Sequence, residues 1–174
     1  MLKRCIMIFP EFKNMNLIDQ IREKYDPLAK HVRPHITLVF PFESNIKTNE
    51  LKEHLLKRLE GIKPFYLSLK GIVTSRANGN YIFLNIEDGK EKIIELHNNL
   101  YTGILEDYIP DWLRKVEYFP HMTVGNVANE DQYIKAIEET KNFNHVFETI
   151  VDTISVEIID ENEDSIIELN IPLG

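Results

Sequence analysis

At 174 residues, with 43% hydrophobic and 28% charged side chains, the chain is long enough for one sizeable globular domain and too apolar for a disordered segment. Its formal net charge of -8 is localised: eight of the 28 acids lie in residues 145–174, which hold no Lys or Arg, leaving 20 acids against 20 bases in residues 1–144. A neutral body with one acidic flank excludes the continuous basic stripe that grips long nucleic acid, and no apolar run approaches the ~20 residues that span a bilayer.

In chain order, "RCIMIF" (4–9) is an apolar strand ending at Pro10, with the only cysteine, Cys5, inside it as a small buried hydrophobe. Met15, Ile18 and Ile21 then recur at helical spacing over 13–24. "HITLVF" (35–40) is β-branched and bounded by Pro34 and Pro41, which predicts a short strand. Leu51, Leu55, Leu56 and Leu59 predict an amphipathic helix over 47–59. "FYLSLKGIV" (65–73) and "YIFLNIE" (81–87) read as strands joined by the turn-rich "SRANGN". A helix follows over 90–105, then the strand "HMTVGNV", a short helix over 130–140, and strand-like runs over 146–159 and 165–171 separated by the acidic turn "DENED". The order β-α-β-α-β occurs twice, plus a final strand, and predicts a single domain of residues 1–174 with approximate repeats 1–75 and 80–174.

Within that order one pattern occurs twice. "PHIT" at 34–37 returns as "PHMT" at 120–123, each on the middle strand of its half. Composition alone gives an expected count of about 0.01 for Pro-His-x-Thr in a chain of this size. On a strand, residues i and i+2 share a face, so His35 with Thr37, and His121 with Thr123, project together while Ile36, Leu38, Met122 and Val124 point into packing. Two imidazoles facing one another suit a reaction that takes a proton from one oxygen and gives one to another, since histidine's ordinary pKa of ~6.5 allows both roles at neutral pH. A threonine hydroxyl beside each ring can donate to a non-bridging phosphoryl oxygen. The pattern points to metal-free phosphodiester chemistry.

Other residues near the motif strands complete a candidate binding surface. Arg33 is a phosphate donor or a solvated charge, and Phe40, Phe42 and Tyr81 are rings that stack on a base or pack in the core. His54, His97 and His145 read as ordinary partly exposed side chains, and His31, four residues before His35 across Pro34, is not a metal partner for it. No Gly-rich phosphate loop, Cys-x-x-Cys pair or Gly-x-Ser-x-Gly elbow occurs.

The two His-x-Thr-x motifs, "HITL" and "HMTV", each preceded by Pro and half a domain apart, resemble those of the 2H phosphoesterase superfamily, the 2'-5' RNA ligase-like or LigT-like proteins. "REKYDP" and "NLYTGIL" further resemble a bacterial branch of it. The resemblance implies an α+β fold of two pseudo-symmetric lobes, each an antiparallel sheet with helices on its outer side, facing a central cleft. It implies hydrolysis of a 2',3'-cyclic phosphodiester or a 2'-5' linkage, with reverse ligation by the same chemistry, and carries over onto His35, Thr37, His121 and Thr123. After the second motif the chain has Gly125 and Asn126, where many RNA-active relatives carry a basic or larger residue. The expectation is a monomeric cytoplasmic enzyme without metal or cofactor, acting on a small phosphorylated nucleotide or a short RNA end, with no long duplex and no membrane as partner. The alternatives are a nucleotide- or RNA-end-binding module without turnover, and a metal-dependent phosphodiesterase.

Overall fold

Apolar alternation produces eight strands in a computed structural model that describes all 174 residues. In chain order the elements are β1 (Leu2–Ile8), α1 (Met15–Tyr25), β2 (Ile36–Ser44), α2 (Thr48–Arg58), β3 (Phe65–Ser75), β4 (Asn80–Asp88) and α3 (Lys90–Leu100). Two short 3-10 turns (Gly103–Tyr108 and Leu113–Lys115) lead to β5 (His121–Val127), α4 (Glu130–Thr140), β6 (Val146–Val151), β7 (Thr153–Ile159) and β8 (Ser165–Pro172). The strands form two four-stranded sheets, ordered β2-β1-β7-β8 and β5-β4-β3-β6. Every strand pairing is antiparallel.

The sheets do not coincide with halves of the chain. β3 forms a hairpin with β4 and so joins the second sheet, while β7 returns to pair with β1 in the first. The run 146–159, read from sequence as one strand, is divided at Asp152, where the chain leaves one sheet for the other between buried Val151 and Ile154. No Gly or Pro marks the break, and both pieces are rich in β-branched residues, so the local sequence does not reveal the switch.

Two further boundaries differ from the sequence reading, each for a local reason. The helix expected over 90–105 ends at Leu100, and Gly103 adopts φ +56°, a left-handed conformation incompatible with helix continuation. β2 runs through Pro41 to Ser44, because it is an edge strand and exposed Pro41 has no neighbouring strand to disappoint.

Helices α1 and α3 are exchanged between the sheets. α1 connects β1 to β2 of the first sheet yet packs on β5 of the second; α3 connects β4 to β5 yet packs on β2. Their buried faces match position for position: Ile18, Ile21, Arg22 and Tyr25 on α1, Ile93, Leu96, His97 and Leu100 on α3. The shared i, i+3, i+4, i+7 spacing gives each helix one apolar stripe carrying a single buried polar residue. Each fully buried Ile or Leu contributes roughly 1.5–3 kcal/mol relative to exposure, so these stripes hold the two sheets as one body. No helix is long and apolar enough to cross a membrane.

The acidic segment is largely built into this framework. Glu168 on β8 accepts from Arg4 Nε and Nη2 at 2.7 and 2.8 Å, and Arg4 also donates to Ser44 Oγ and the Ile46 carbonyl. Glu157 accepts from the Ser165 hydroxyl, and Asp164 meets His31 Nδ1 at 2.8 Å.

Candidate functional site

β2 and β5 are each the edge strand of their sheet, and they lie against one another. They also share an irregularity. Met7 pairs with Thr37 and Ile6 with Val39, leaving Leu38 as an extra residue; Phe83 pairs with Thr123 and Ile82 with Gly125, leaving Val124 extra. The same β-bulge thus follows the threonine of each motif, sharpening the local twist. Within both motifs the His and Thr are half-buried, while Ile36, Leu38, Met122 and Val124 are completely buried.

The bulge accounts for Gly125. A Cβ there would lie 3.1 Å from Tyr25 Cβ on α1 and 3.4 Å from both Cβ and Cδ1 of Ile82. The residue after the second motif is small because an exchanged helix crosses directly above it.

The two imidazoles are held alike. His35 Nδ1 donates to the Arg33 carbonyl at 2.8 Å, and His121 Nδ1 donates to the Phe119 carbonyl at 2.7 Å, each two residues upstream. Because a carbonyl only accepts, each Nδ1 carries the hydrogen and Nε2 is left as the atom that takes or gives a proton. Burial pushes both pKa values below the ordinary histidine value, opposed by these carbonyls, which favour the charged form. His35 is further lowered by the nearby Arg22 and His121 charges and raised by Asp26.

Aromatic rings supply the walls. His121 lies between Phe83, with ring centroids 3.8 Å apart, and Phe119, at 5.8 Å, and Tyr81 stacks on Phe83 at 5.5 Å. Phe9 meets His35 edge-on at 6.1 Å. A cation caps the outer ring on each side: Arg33 over Phe9 at 4.7 Å and Lys90 over Phe119 at 5.0 Å.

Of the other residues singled out in the sequence, Arg33 is exposed beside His35 and lies 3.7 Å from Glu11. Tyr81 shares the face of Phe83 and hence of Thr123. Phe40 turns instead onto Trp112, at 4.8 Å, and Tyr118. Phe42 is not brought to the cleft: it stands opposite Arg4 in the ladder, on the helix-covered face, is 5% exposed and packs on Tyr108. Cys5 is buried, its thiol donating to the Val39 carbonyl and pushed well above the ordinary thiol pKa by burial.

His97 corrects the sequence reading most sharply. Only 5% exposed, it donates from Nδ1 to the Leu38 carbonyl at 2.7 Å and stacks on Tyr118. Its helical position beside Ile93, Leu96 and Leu100 was the available signal. Arg22, the matching residue of α1, is 2% exposed, donates from Nε to Asp26 Oδ2 at 2.7 Å and leaves Nη2 without a partner. A hollow of ≈ 760 Å³ lies beside Arg22, Lys30 and Arg33; neither motif histidine lines it. No group of three or more His, Cys, Asp or Glu side chains gathers at metal-binding geometry, and His31 is committed to Asp164.

Comparison with known proteins matches residues 10–163 to the family model described as the 2'-5' RNA ligase superfamily. Among curated relatives, a Bacillus licheniformis protein named "Putative phosphoesterase" is 29% identical over 154 residues, covering 87% of this chain and 86% of its own length. One of the same name from Bacillus pumilus is 27% identical over 133 residues, covering 76% and 74%. Among solved structures, TT0787 of Thermus thermophilus superposes with a TM-score of 0.66 at 14% identity, covering 98% of this chain and 97% of its own. Escherichia coli LigT complexed with ATP superposes with a TM-score of 0.59 at 15% identity, covering 99% and 98%. The same protein has also been solved complexed with 3'-AMP. These structural likenesses establish the fold: two antiparallel sheets with helices, as the motif resemblance implied.

Proposed function

The chain belongs to the 2'-5' RNA ligase superfamily, and from that premise we propose that it is a metal-independent phosphoesterase that hydrolyses a 2',3'-cyclic or 2'-5' phosphodiester of a nucleotide or RNA end, with His35 and His121 as its acid-base pair. The observation that carries this reading is the matched tethering of the two rings, each Nδ1 on the carbonyl two residues upstream. That match leaves two equivalent Nε2 atoms for the two proton transfers of the reaction.

For a cyclic substrate, water attacks phosphorus as one Nε2 takes its proton, and the bond from phosphorus to the 3' oxygen breaks as the other, protonated ring donates to that oxygen. The product is a 2'-phosphate, and the rings exchange protonation states through solvent before the next turnover. Thr37 and Thr123 donate to the non-bridging oxygens, where charge develops. At 10²- to 10⁴-fold for each positioned group, the two histidines would lower the barrier by about 5–11 kcal/mol. The Tyr81–Phe83 platform beside His121 would take the base by stacking, and Arg33 and Lys90 a flanking phosphate. Nucleotide complexes of LigT support a ligand of this size.

The test is hydrolysis of nucleoside 2',3'-cyclic phosphates and 2'-5' dinucleotides with EDTA present. The wild type is expected to turn over and each of His35→Ala and His121→Ala to lose about 10²- to 10⁴-fold while keeping the wild-type melting profile. Either variant retaining full activity would refute the acid-base pair, and loss with EDTA would favour metal-dependent chemistry. Binding of a 2'-phosphate without any turnover would favour the binding module.

A further inference from the structure

On the free edge of β2, side chains rather than another strand meet the backbone. The Tyr118 hydroxyl donates to the Thr37 carbonyl at 2.6 Å, and His97 Nδ1 donates to the next carbonyl, Leu38, at 2.7 Å. The two donor rings stack with centroids 3.7 Å apart and planes 3° from parallel. Tyr118 directly precedes Phe119, whose carbonyl holds His121 Nδ1 at 2.7 Å. A single residue therefore bonds to the backbone of one motif's threonine and adjoins the peptide that orients the other motif's histidine.

We propose that Tyr118, braced by buried His97, is a positioning residue that fixes the separation and mutual orientation of the two His-x-Thr motifs. The inference rests on the acid-base reading of those motifs. Because β2 and β5 belong to different sheets, no ladder of backbone hydrogen bonds sets their spacing. The strands touch directly, and a side-chain strap at the threonine adds a hydrogen bond of fixed geometry to that contact. Burial pushes the Tyr118 hydroxyl above its ordinary pKa, which keeps it a donor.

Tyr101 supplies an internal comparison. Its hydroxyl accepts from the Phe40 N–H at 2.9 Å, on the same strand edge three residues beyond Thr37, but it makes no tie to the second motif. Removing either hydroxyl unpairs one edge group of β2, so the loss of stability should be similar. The effect on chemistry should not be.

The experiment compares Tyr118→Phe with Tyr101→Phe by thermal unfolding, by kcat and KM on a nucleoside 2',3'-cyclic phosphate, and by the imidazole NMR resonances of His35 and His121. Tyr118→Phe is expected to lower kcat about 10- to 100-fold with KM within about twofold, keep both limbs of the pH profile, and shift or broaden the His121 resonances. Tyr101→Phe should do none of these at a similar melting temperature. Equal kcat in the two variants, with His121 unmoved, would overturn the inference and leave Tyr118 a structural cap.

Failure of the functional reading registers separately, as absence of turnover by the wild type. The NMR comparison then decides alone: His121 resonances moved by Tyr118→Phe but not by Tyr101→Phe uphold the strap, and unmoved ones overturn it. If Tyr118→Phe does not fold, His97→Phe, which keeps the stack and deletes the bond to Leu38, is read against Tyr101→Phe by the same criteria.

Discussion

Replacing Gly125 by alanine isolates the junction between α1 and the second motif strand. The added methyl would lie 3.1 Å from Tyr25 Cβ, inside ordinary van der Waals contact, and 3.4 Å from two atoms of Ile82. The nearest atom is a Cβ fixed to a helix backbone, not the end of a flexible side chain, so relief requires α1 or β5 to move by a few tenths of an ångström. Overpacking by one methyl costs about 1–3 kcal/mol in a well-packed interior. For a domain of this size that corresponds to a melting-temperature loss of about 2–12 °C. Urea unfolding should show the midpoint falling with an unchanged slope, since the surface exposed on unfolding is the same. Tyr25→Ala retains the Cβ, so combined with Gly125→Ala it should give a penalty close to the sum of the two. A Gly125→Ala protein within about 0.3 kcal/mol of wild type, or one fully rescued by Tyr25→Ala, would refute the close-approach account.

Both motif histidines are held below the ordinary value by burial, so the group that must be protonated loses its proton early as pH rises and the group that must be neutral keeps its lone pair to lower pH. The pH profile of kcat/KM should therefore be bell-shaped with its maximum on the acid side of ~6.5; a maximum at neutral or alkaline pH would contradict burial as the dominant influence. Tyr81→Ala should raise KM by the loss of roughly 1–3 kcal/mol of base stacking with kcat little changed, measured by steady-state kinetics. Arg4→Met would strand Glu168 without its buried partner and cost about 3–5 kcal/mol, while Arg4→Met with Glu168→Leu should recover most of it in thermal unfolding. Hydrogen bonding to Arg4 holds Glu168 below the ordinary carboxylate range. Its contribution is therefore present at neutral pH and lost as pH falls through that lowered value, so acid should destabilise the wild type more than the double variant.

Element order and the facing of the motif residues are readable because both follow from short-range periodicity: "HITL" and "HMTV" alternate, and Leu51, Leu55 and Leu59 recur at four, although Leu56, read with them, is exposed. Partnership between distant segments is not. Nothing local distinguishes Val146–Val151 from Thr153–Ile159, although they lie in different sheets. Phe42 reads like Phe40 from sequence, and its non-local neighbours, Arg4 across the ladder and Tyr108, show it to be core. His97 reads like His54 from sequence because a lone polar residue on a helix is ambiguous until the carbonyl it meets is known. Gly125 finds its cause in a helix one hundred residues upstream, beyond the reach of any local pattern.

The strand order also dictates when the cleft can exist during synthesis. β1 is flanked by β2 and β7, and Cys5 pairs with Glu157. A nascent chain that has already emerged with "HITL" therefore carries a bare β1 edge until the ribosome has added more than a hundred further residues, an interval in which such an edge is open to wrong partners. The high sequence separation of this closing step makes it slow relative to the local hairpin of β3 and β4. The doubled motif accordingly does not divide into two self-sufficient halves: residues 1–75 hold the first motif's His35 and Thr37 but lack β7 and β8, the two strands that complete their sheet.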